Sequence, residues 1–208
     1  MNKTLTILID NGHGIDTKGK RSPLVEPVSE VLFEWLYTRD IARKMVDIAE
    51  GKGVHAVLLV PENEDVPLRV RAQRANEYIK SHPQERCVLF SIHGNAAGDG
   101  KEWKTARGFE AWTTKGQNRS DTLATFLYEQ VRLFLPDIKV RKDSTDGDDD
   151  KEANFTVIKL ANCPAVLSEC LFYDNKEDLA LMKTEKVKIY FAEAHVMAAM
   201  QYNFFCNE

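Results

Sequence analysis

The chain has 208 residues, of which 43% are hydrophobic and 29% are charged, a size and composition that predict one compact globular domain spanning residues 1–208. The formal net charge is -4 and the pI is about 5.8. The chain therefore lacks the basic field that nucleic-acid binding requires, and we expect no nucleic-acid partner.

The N-terminal segment Met1–Asp10 carries one lysine and a short apolar run. It has no longer hydrophobic region and no small-residue cleavage site, so we interpret it as a first strand and not as a signal peptide. No stretch of the sequence approaches the roughly 20 consecutive apolar residues of a spanning helix. We therefore expect no membrane insertion.

Five apolar runs bounded by turn residues predict β-strands. They are Leu5–Ile9, Val54–Val60, Cys87–Ile92, Phe109–Thr113 and Ala165–Leu167. Apolar residues at helical spacing predict helices at about Ser29–Glu50, Pro67–Ser81, Asn118–Leu135 and Lys176–Phe205, the last broken near Thr184. Strands that alternate with helices predict an α/β fold with a mostly parallel central sheet and helices on both faces.

The segment Arg141–Glu152 contains no apolar residue, which predicts a solvated loop. Four of its aspartates fall within five positions, namely Asp146, Asp148, Asp149 and Asp150. A calcium loop is the alternative interpretation, but the EF-hand pattern also requires a glutamate at its twelfth position and flanking helices. The four cysteines form no CxxC pair, and we interpret them as reduced, structural thiols.

Two histidines follow or end predicted strands. His13 lies in Asp10-Asn-Gly-His-Gly14, where glycines on both sides permit a tight turn, and His93 ends the third strand in Ser91-Ile-His-Gly-Asn95. In a parallel sheet both imidazoles emerge at the carboxyl edge, where ligands gather. The two histidines can therefore share one metal ion.

A glutamate on the first predicted helix is the third candidate ligand. Glu34 lies seven residues before Ile41 and eleven before Met45, on the apolar side of the helix. A buried carboxylate needs a partner, and a metal cation is one. Glu30, one turn earlier, is the rival ligand and ranks second, because carboxylates at a helix start serve the helix dipole.

Two histidines and one carboxylate, with one position left for water, are typical of a catalytic zinc site. Glu169 follows the apolar run Ala165–Leu167 and brings a second carboxylate to the same edge, where it can act as general base and acid. This set predicts amide hydrolysis. Serine-hydrolase, P-loop and dinucleotide-binding motifs are absent from the sequence.

Together these segments resemble the type 3 family of zinc-dependent N-acetylmuramoyl-L-alanine amidases, over nearly the whole chain. The family's D-x-GHG turn, helix glutamate and S-x-H-x-N motif are matched around His13, Glu34 and His93. Its remaining motifs are matched by Leu68-Arg-Val-Arg71 through Asn76, Arg107-Gly-Phe-Glu110, and Pro164-Ala-Val-Leu-Ser-Glu169 with Phe172, Asn175 and Asp178.

The resemblance implies a catalytic domain with one zinc ion held by His13, Glu34 and His93. It also implies Glu169 as the catalytic carboxylate, Asn95 as a substrate-binding residue, and peptidoglycan or muropeptides as the substrate. The sequence departs from the family at Asn11, which replaces a common proline, and after Glu169, where a small residue and a glycine are often found.

Two other functions remain open: a zinc peptidase that cuts another amide of the peptide stem, and a non-catalytic wall-binding module. We expect a monomer that is made in the cytoplasm and acts on the cell wall, either after export or as a prophage endolysin. The preferred stem peptide, and the choice between host lysis and remodelling of the cell's own wall, stay open.

Overall fold

The computed structural model describes residues 3–24, 31–145 and 147–208. The strands are β1 (Thr4–Asn11), β2 (His55–Leu58), β3 (Glu85–Asn95), β4 (Phe109–Thr113), β5 (Lys151–Glu152) and β6 (Ala165–Phe172). The helices are α1 (Glu34–Gly51), α2 (Leu68–Ser81), α3 (Arg119–Phe134), α4 (Thr156–Leu160), α5 (Lys176–Met182) and α6 (Glu185–Phe205).

These elements form a six-stranded sheet in the order β2-β1-β3-β6-β4-β5. Strands β2, β1, β3 and β6 are mutually parallel, whereas β4 is antiparallel to β6 and parallel to β5. The mostly parallel sheet predicted from the sequence is confirmed. The carboxyl ends of β1, β3 and β6 consequently meet at one edge, which is where ligands bind in open α/β sheets.

The central strands are buried on both faces, which explains why their sequences are continuous apolar runs. Ile7 and Ile9 of β1 pack beneath α1, α3 and α6, whereas Leu8 packs with α2 and α4 on the other face. Helices therefore cover both faces, as the sequence predicted. None of the helices in the described residues is long and apolar enough to cross a bilayer.

Helix α1 begins later than predicted. Its first residue is Glu34, and residues 31–33 precede it without helical structure, while Ser29 and the rival ligand Glu30 lie outside the described residues. The backbone before the helix is bonded elsewhere: Ser22 N donates to Leu32 O, and Glu34 N donates to Lys20 O. The break near Thr184 is confirmed, because the Thr184 side chain caps the start of α6.

The segment Arg141–Glu152 is not the wholly solvated loop that we predicted. Asp150 is only 2% exposed, and the two residues after it form β5, which pairs with β4. The Thr113 hydroxyl donates to Asp150 Oδ2 at 2.6 Å, and the backbone N–H of Ala153 donates to Thr113 O. Pairing with β4 therefore holds this polar segment in place without any apolar residue.

Candidate metal centre

The turn after β1 packs tightly around His13. A Cβ atom on Gly12 would lie 2.4 Å from the His93 ring, and one on Gly14 would lie 2.0 Å from the backbone nitrogen of Asp65. Both positions therefore require glycine. His13 itself has a φ of 62°, which lies in the left-handed region. Residues other than glycine rarely occupy this region, and those that do are often found at functional sites.

His93 and Glu169 are neighbours across the sheet. They are register partners on the parallel strands β3 and β6, and Glu110 of β4 is the partner of Glu169 on its other side. Register partners on adjacent strands lie about 5 Å apart with their side chains on the same face. The register then shifts by a β-bulge that contains Leu171 at a φ of 73°. Glu169 thus lies within β6, not at its end as we predicted.

The structure brings His13, Glu34 and His93 together. Glu34 Oε1 lies 3.2 Å from His93 Nδ1 and 3.4 Å from His13 Nε2, and the rings of the two histidines meet edge to face. One possible ligand atom from each residue lies within 4.8 Å of the others, and no other set of three among the described residues meets this condition. These three residues form the His–Glu–His group.

The surroundings of Glu34 keep its carboxylate ionised. Burial alone would raise the pKa of Glu34, but hydrogen bonds with His13 and His93 outweigh burial and lower that pKa to about 2. Burial opposes the protonation of His93, but the hydrogen bond with Glu34 and the charge of Glu169 raise the pKa of His93. In addition, Gly94 N donates to Glu34 Oε1 at 3.1 Å, and Oε2 is buried without a partner.

This chemistry fits a divalent metal ion. Two imidazole nitrogens and one carboxylate oxygen are a donor set that zinc prefers, and the unpartnered Oε2 of Glu34 is a further acceptor facing no donor. Glu34 is 1% exposed, so a cation would also compensate for its burial. The geometry therefore agrees with the metal site predicted from the sequence, while the roles of the individual residues stay predictions.

Two carboxyl groups beside the His–Glu–His group have pKa values that are shifted in opposite directions. Burial raises the pKa of Glu169 to about 8, and its Oε2 has no hydrogen-bond partner. Burial also acts on Glu110, but hydrogen bonds from Lys151 and Arg141, at 2.8 and 2.5 Å, outweigh it and keep the pKa of Glu110 below its usual range. Environments that shift the pKa values of two neighbouring carboxyl groups in opposite directions are typical of acid–base sites.

Asn95 lies next to this pair of carboxyl groups. Its Nδ2 donates to Glu110 Oε2 at 3.0 Å, and its Oδ1 accepts from the backbone of Ala96 at 2.8 Å. Sequence reasoning missed the roles of Glu110, Arg141 and Lys151 in organising the site. Glu110 stood in a family motif, but the two basic residues are at the borders of the acidic segment and carried no signal.

Comparisons with known proteins agree with the geometry. The family model described as N-acetylmuramoyl-L-alanine amidase matches residues 7–201. The endolysin of Bacillus phage SPP1 is 28% identical over 192 residues, a match that covers 91% of this chain but 62% of the endolysin, or about three fifths of its length.

Solved structures show the same fold. The N-acetylmuramoyl-L-alanine amidase from Clostridium difficile 630 superposes with a TM-score of 0.79 at 27% identity, covering 97% of each chain. The amidase AmiC2 of Nostoc punctiforme gives a TM-score of 0.73 at 23% identity, covering 95% of this chain and 96% of its own. Because the family model matches far more than half of the sequence, this chain belongs to the N-acetylmuramoyl-L-alanine amidase family.

Proposed function

We propose that this protein is a zinc-dependent N-acetylmuramoyl-L-alanine amidase of bacterial peptidoglycan. The bond cleaved is the amide between the lactyl group of muramic acid and L-alanine of the stem peptide. The observation that supports this most directly is the convergence of His13, Glu34 and His93 at one sheet edge, beside Glu169, in a member of this family.

His13, Glu34 and His93 would hold the zinc ion. When bound there, zinc would polarise the amide carbonyl and make water more acidic. The chain's own contribution is to orient the three ligands: a left-handed turn presents His13, β3 presents His93, and Gly94 N holds the Glu34 carboxylate.

Glu169 is the proposed general base and acid. Its carboxylate takes a proton from the attacking water, whose oxygen bonds to the carbonyl carbon. As the carbon–nitrogen bond breaks, Glu169 returns that proton to the nitrogen of L-alanine, which leaves as a free amine. Burial raises the pKa of Glu169 in the metal-free protein. A carboxyl group with a raised pKa holds a proton at neutral pH more readily than an ordinary carboxyl group does, and can then deliver it to the leaving amine, so the direction of this shift supports the proposed role.

Asn95 is the proposed substrate-binding residue. An asparagine amide has two N–H donors, and the hydrogen bond to Glu110 uses one of them. The remaining donor can bind a carbonyl group of the sugar or stem peptide. Glu110 supports this contact by holding the Asn95 amide in one orientation, and Arg141 and Lys151 hold Glu110 in turn.

The product identifies the reaction. The purified protein is incubated with zinc and defined muropeptides, and the products are identified by mass spectrometry. We expect a muramic acid with a free lactyl carboxylate and a stem peptide with a free alanine amine, in equal amounts. A new amine inside the stem would instead indicate a peptidase, and tight binding to peptidoglycan without any product would indicate a wall-binding module.

A further inference from the structure

Side-chain donors hold the backbone of the His13 turn on both sides. Three consecutive carbonyl groups, those of Asn11, Gly12 and His13, each accept a hydrogen bond from a different side chain. The pairs are Arg71 Nη1 to Asn11 O at 2.8 Å, Thr38 Oγ1 to Gly12 O at 3.0 Å, and Arg39 Nη1 to His13 O at 2.8 Å. All three donor residues are buried, with 1%, 0% and 4% exposure respectively.

Two of these donors lie on the helix that carries Glu34. Thr38 is four residues after Glu34, so both side chains lie on the same face of α1, and Arg39 follows directly. Arg39 also donates from Nε and Nη2 to Glu62 O, at 3.0 and 2.7 Å. Helix α1 therefore supplies one candidate ligand and also holds the backbone of another, which couples the positions of Glu34 and His13.

Arg71 holds the turn from the opposite face of the sheet. Its guanidinium donates to Asp10 Oδ1 at 2.6 Å and to Asp65 Oδ1 at 2.7 Å. Asp10 Oδ2 accepts from Ser91 Oγ on β3 at 2.6 Å. Arg71 thus joins the end of β1 to the loop that contains Asp65. Through its bond with Ser91, Asp10 also links the end of β1 to β3, the strand that carries His93.

These contacts hold a backbone conformation that is unfavourable by itself. A non-glycine residue in the left-handed region persists where its surroundings determine it, and His13 is such a residue. We infer that Thr38, Arg39 and Arg71 are positioning residues that set the His13 imidazole for metal binding. The inference rests on the proposed metal site and adds residues that do not touch the ion.

Zinc affinity of the apoprotein tests this inference without any substrate. We would measure the zinc dissociation constant of wild type, Thr38→Val, Thr38→Ser and Arg39→Lys by competition with a chromophoric chelator. Outer contacts of metal ligands typically change affinity by about 10- to 100-fold. We expect a loss in this range for Arg39→Lys, about tenfold for Thr38→Val, and no more than about twofold for Thr38→Ser, which keeps the hydroxyl.

Arg86→Lys is the matched control. Arg86 also donates to backbone carbonyls, those of Asn203 and Cys206, but it lies at the amino end of β3, away from the site. The zinc affinity of the Arg86→Lys variant should equal that of wild type. Thermal melts of each apoprotein show whether the variants fold, and the absorption spectrum of bound Co²⁺ reports altered ligand geometry. If Arg39→Lys does not fold, the comparison of Thr38→Val with Thr38→Ser decides.

The outcomes separate this inference from the proposed function. Unchanged zinc affinity in folded Thr38→Val and Arg39→Lys would overturn the inference and leave the metal site standing. Equal losses in Thr38→Val and Thr38→Ser would also overturn it, because the hydroxyl would then be irrelevant. If wild type itself binds no zinc, the proposed function fails, and the inference fails with it.

Discussion

Two of the regions in which this molecule buries carboxyl groups do so in opposite ways. In the His–Glu–His group, two imidazoles face Glu34, and the pKa of its carboxyl is lowered to about 2 although burial opposes ionisation. In the second region, which we call the acidic cluster (Asp121, Asp148 and Asp150), burial and the neighbouring carboxylates raise the pKa of Asp150 to about 7.

The difference lies in what the carboxylates face. Each residue of the acidic cluster has one buried oxygen without a hydrogen-bond partner, and no Lys or Arg among the described residues forms an ion pair with any of them. The three carboxylates also do not converge within 4.8 Å as the His–Glu–His ligands do. A cluster of acidic residues therefore does not by itself bring three ligand atoms together, whereas the mixed donors of the His–Glu–His group converge from separate elements.

The largest effect is expected at the proposed catalytic carboxylate. Glu169→Gln keeps the shape of the side chain but can no longer accept a proton, so amidase turnover should fall by about 10²- to 10⁴-fold. Zinc affinity should change little, since Glu169 is not a proposed ligand. Turnover measured with a defined muropeptide, alongside zinc titration, checks both expectations. Full turnover of the variant would show that another group carries the proton.

The next effect concerns the tight packing of the sheet edge. Gly14→Ala places a Cβ about 2.0 Å from the Asp65 backbone nitrogen, and a backbone atom cannot easily move aside. We expect the free energy of unfolding to fall by about 2–4 kcal/mol, measured by urea denaturation. Gly51→Ala, with no atom within 4 Å of the new Cβ, is the control and should stabilise helix α1 by at most about 1 kcal/mol. Equal stabilities of the two variants would contradict this account.

The acidic cluster predicts that the stability difference between wild type and Asp150→Asn depends on pH. The pKa of Asp150 is about 7 in the folded protein and 3.8 as its ordinary value, so between these values the folded state binds more protons than the unfolded state. Stability from this group is therefore lost as the pH rises towards 7. Asp150→Asn lacks this titration, and its stability relative to wild type should rise by about 1–3 kcal/mol between pH 4.5 and pH 8. Urea denaturation of the apoproteins at both pH values measures this, and a pH-independent difference would refute it.

The smallest effect is expected at Asp149, which belongs to the same segment but has partners. Arg132 Nη2 and Lys142 Nζ lie 2.6 and 3.2 Å from its carboxylate oxygens. Exposed ion pairs contribute about 0–1 kcal/mol, so Asp149→Asn should lower the free energy of unfolding by less than about 1 kcal/mol. It should also leave zinc affinity unchanged. A larger loss of stability at low salt than at high salt would agree with this origin.

The sequence predicted the sheet edge better than the acidic segment, for a physical reason. Strand ends in a parallel sheet converge, so His13 and His93 could be placed from their strands, and the apolar spacing of α1 placed Glu34. No such regularity applies to Asp150, whose burial depends on a backbone pairing of two residues. Arg71 stood in a family motif, but the bonds of Thr38, Arg39 and Arg71 to the His13 turn could not be predicted, because bonds to backbone carbonyls leave no pattern in side-chain spacing.

Zinc content after equilibrium dialysis tests the central claim most directly. Wild type, His93→Ala and Asp150→Asn would be dialysed against the same limiting zinc concentration and measured by elemental analysis. We expect one zinc ion per chain in wild type and in Asp150→Asn, and a nearly complete loss in His93→Ala. Zinc retained by His93→Ala, or lost only from Asp150→Asn, would contradict this claim.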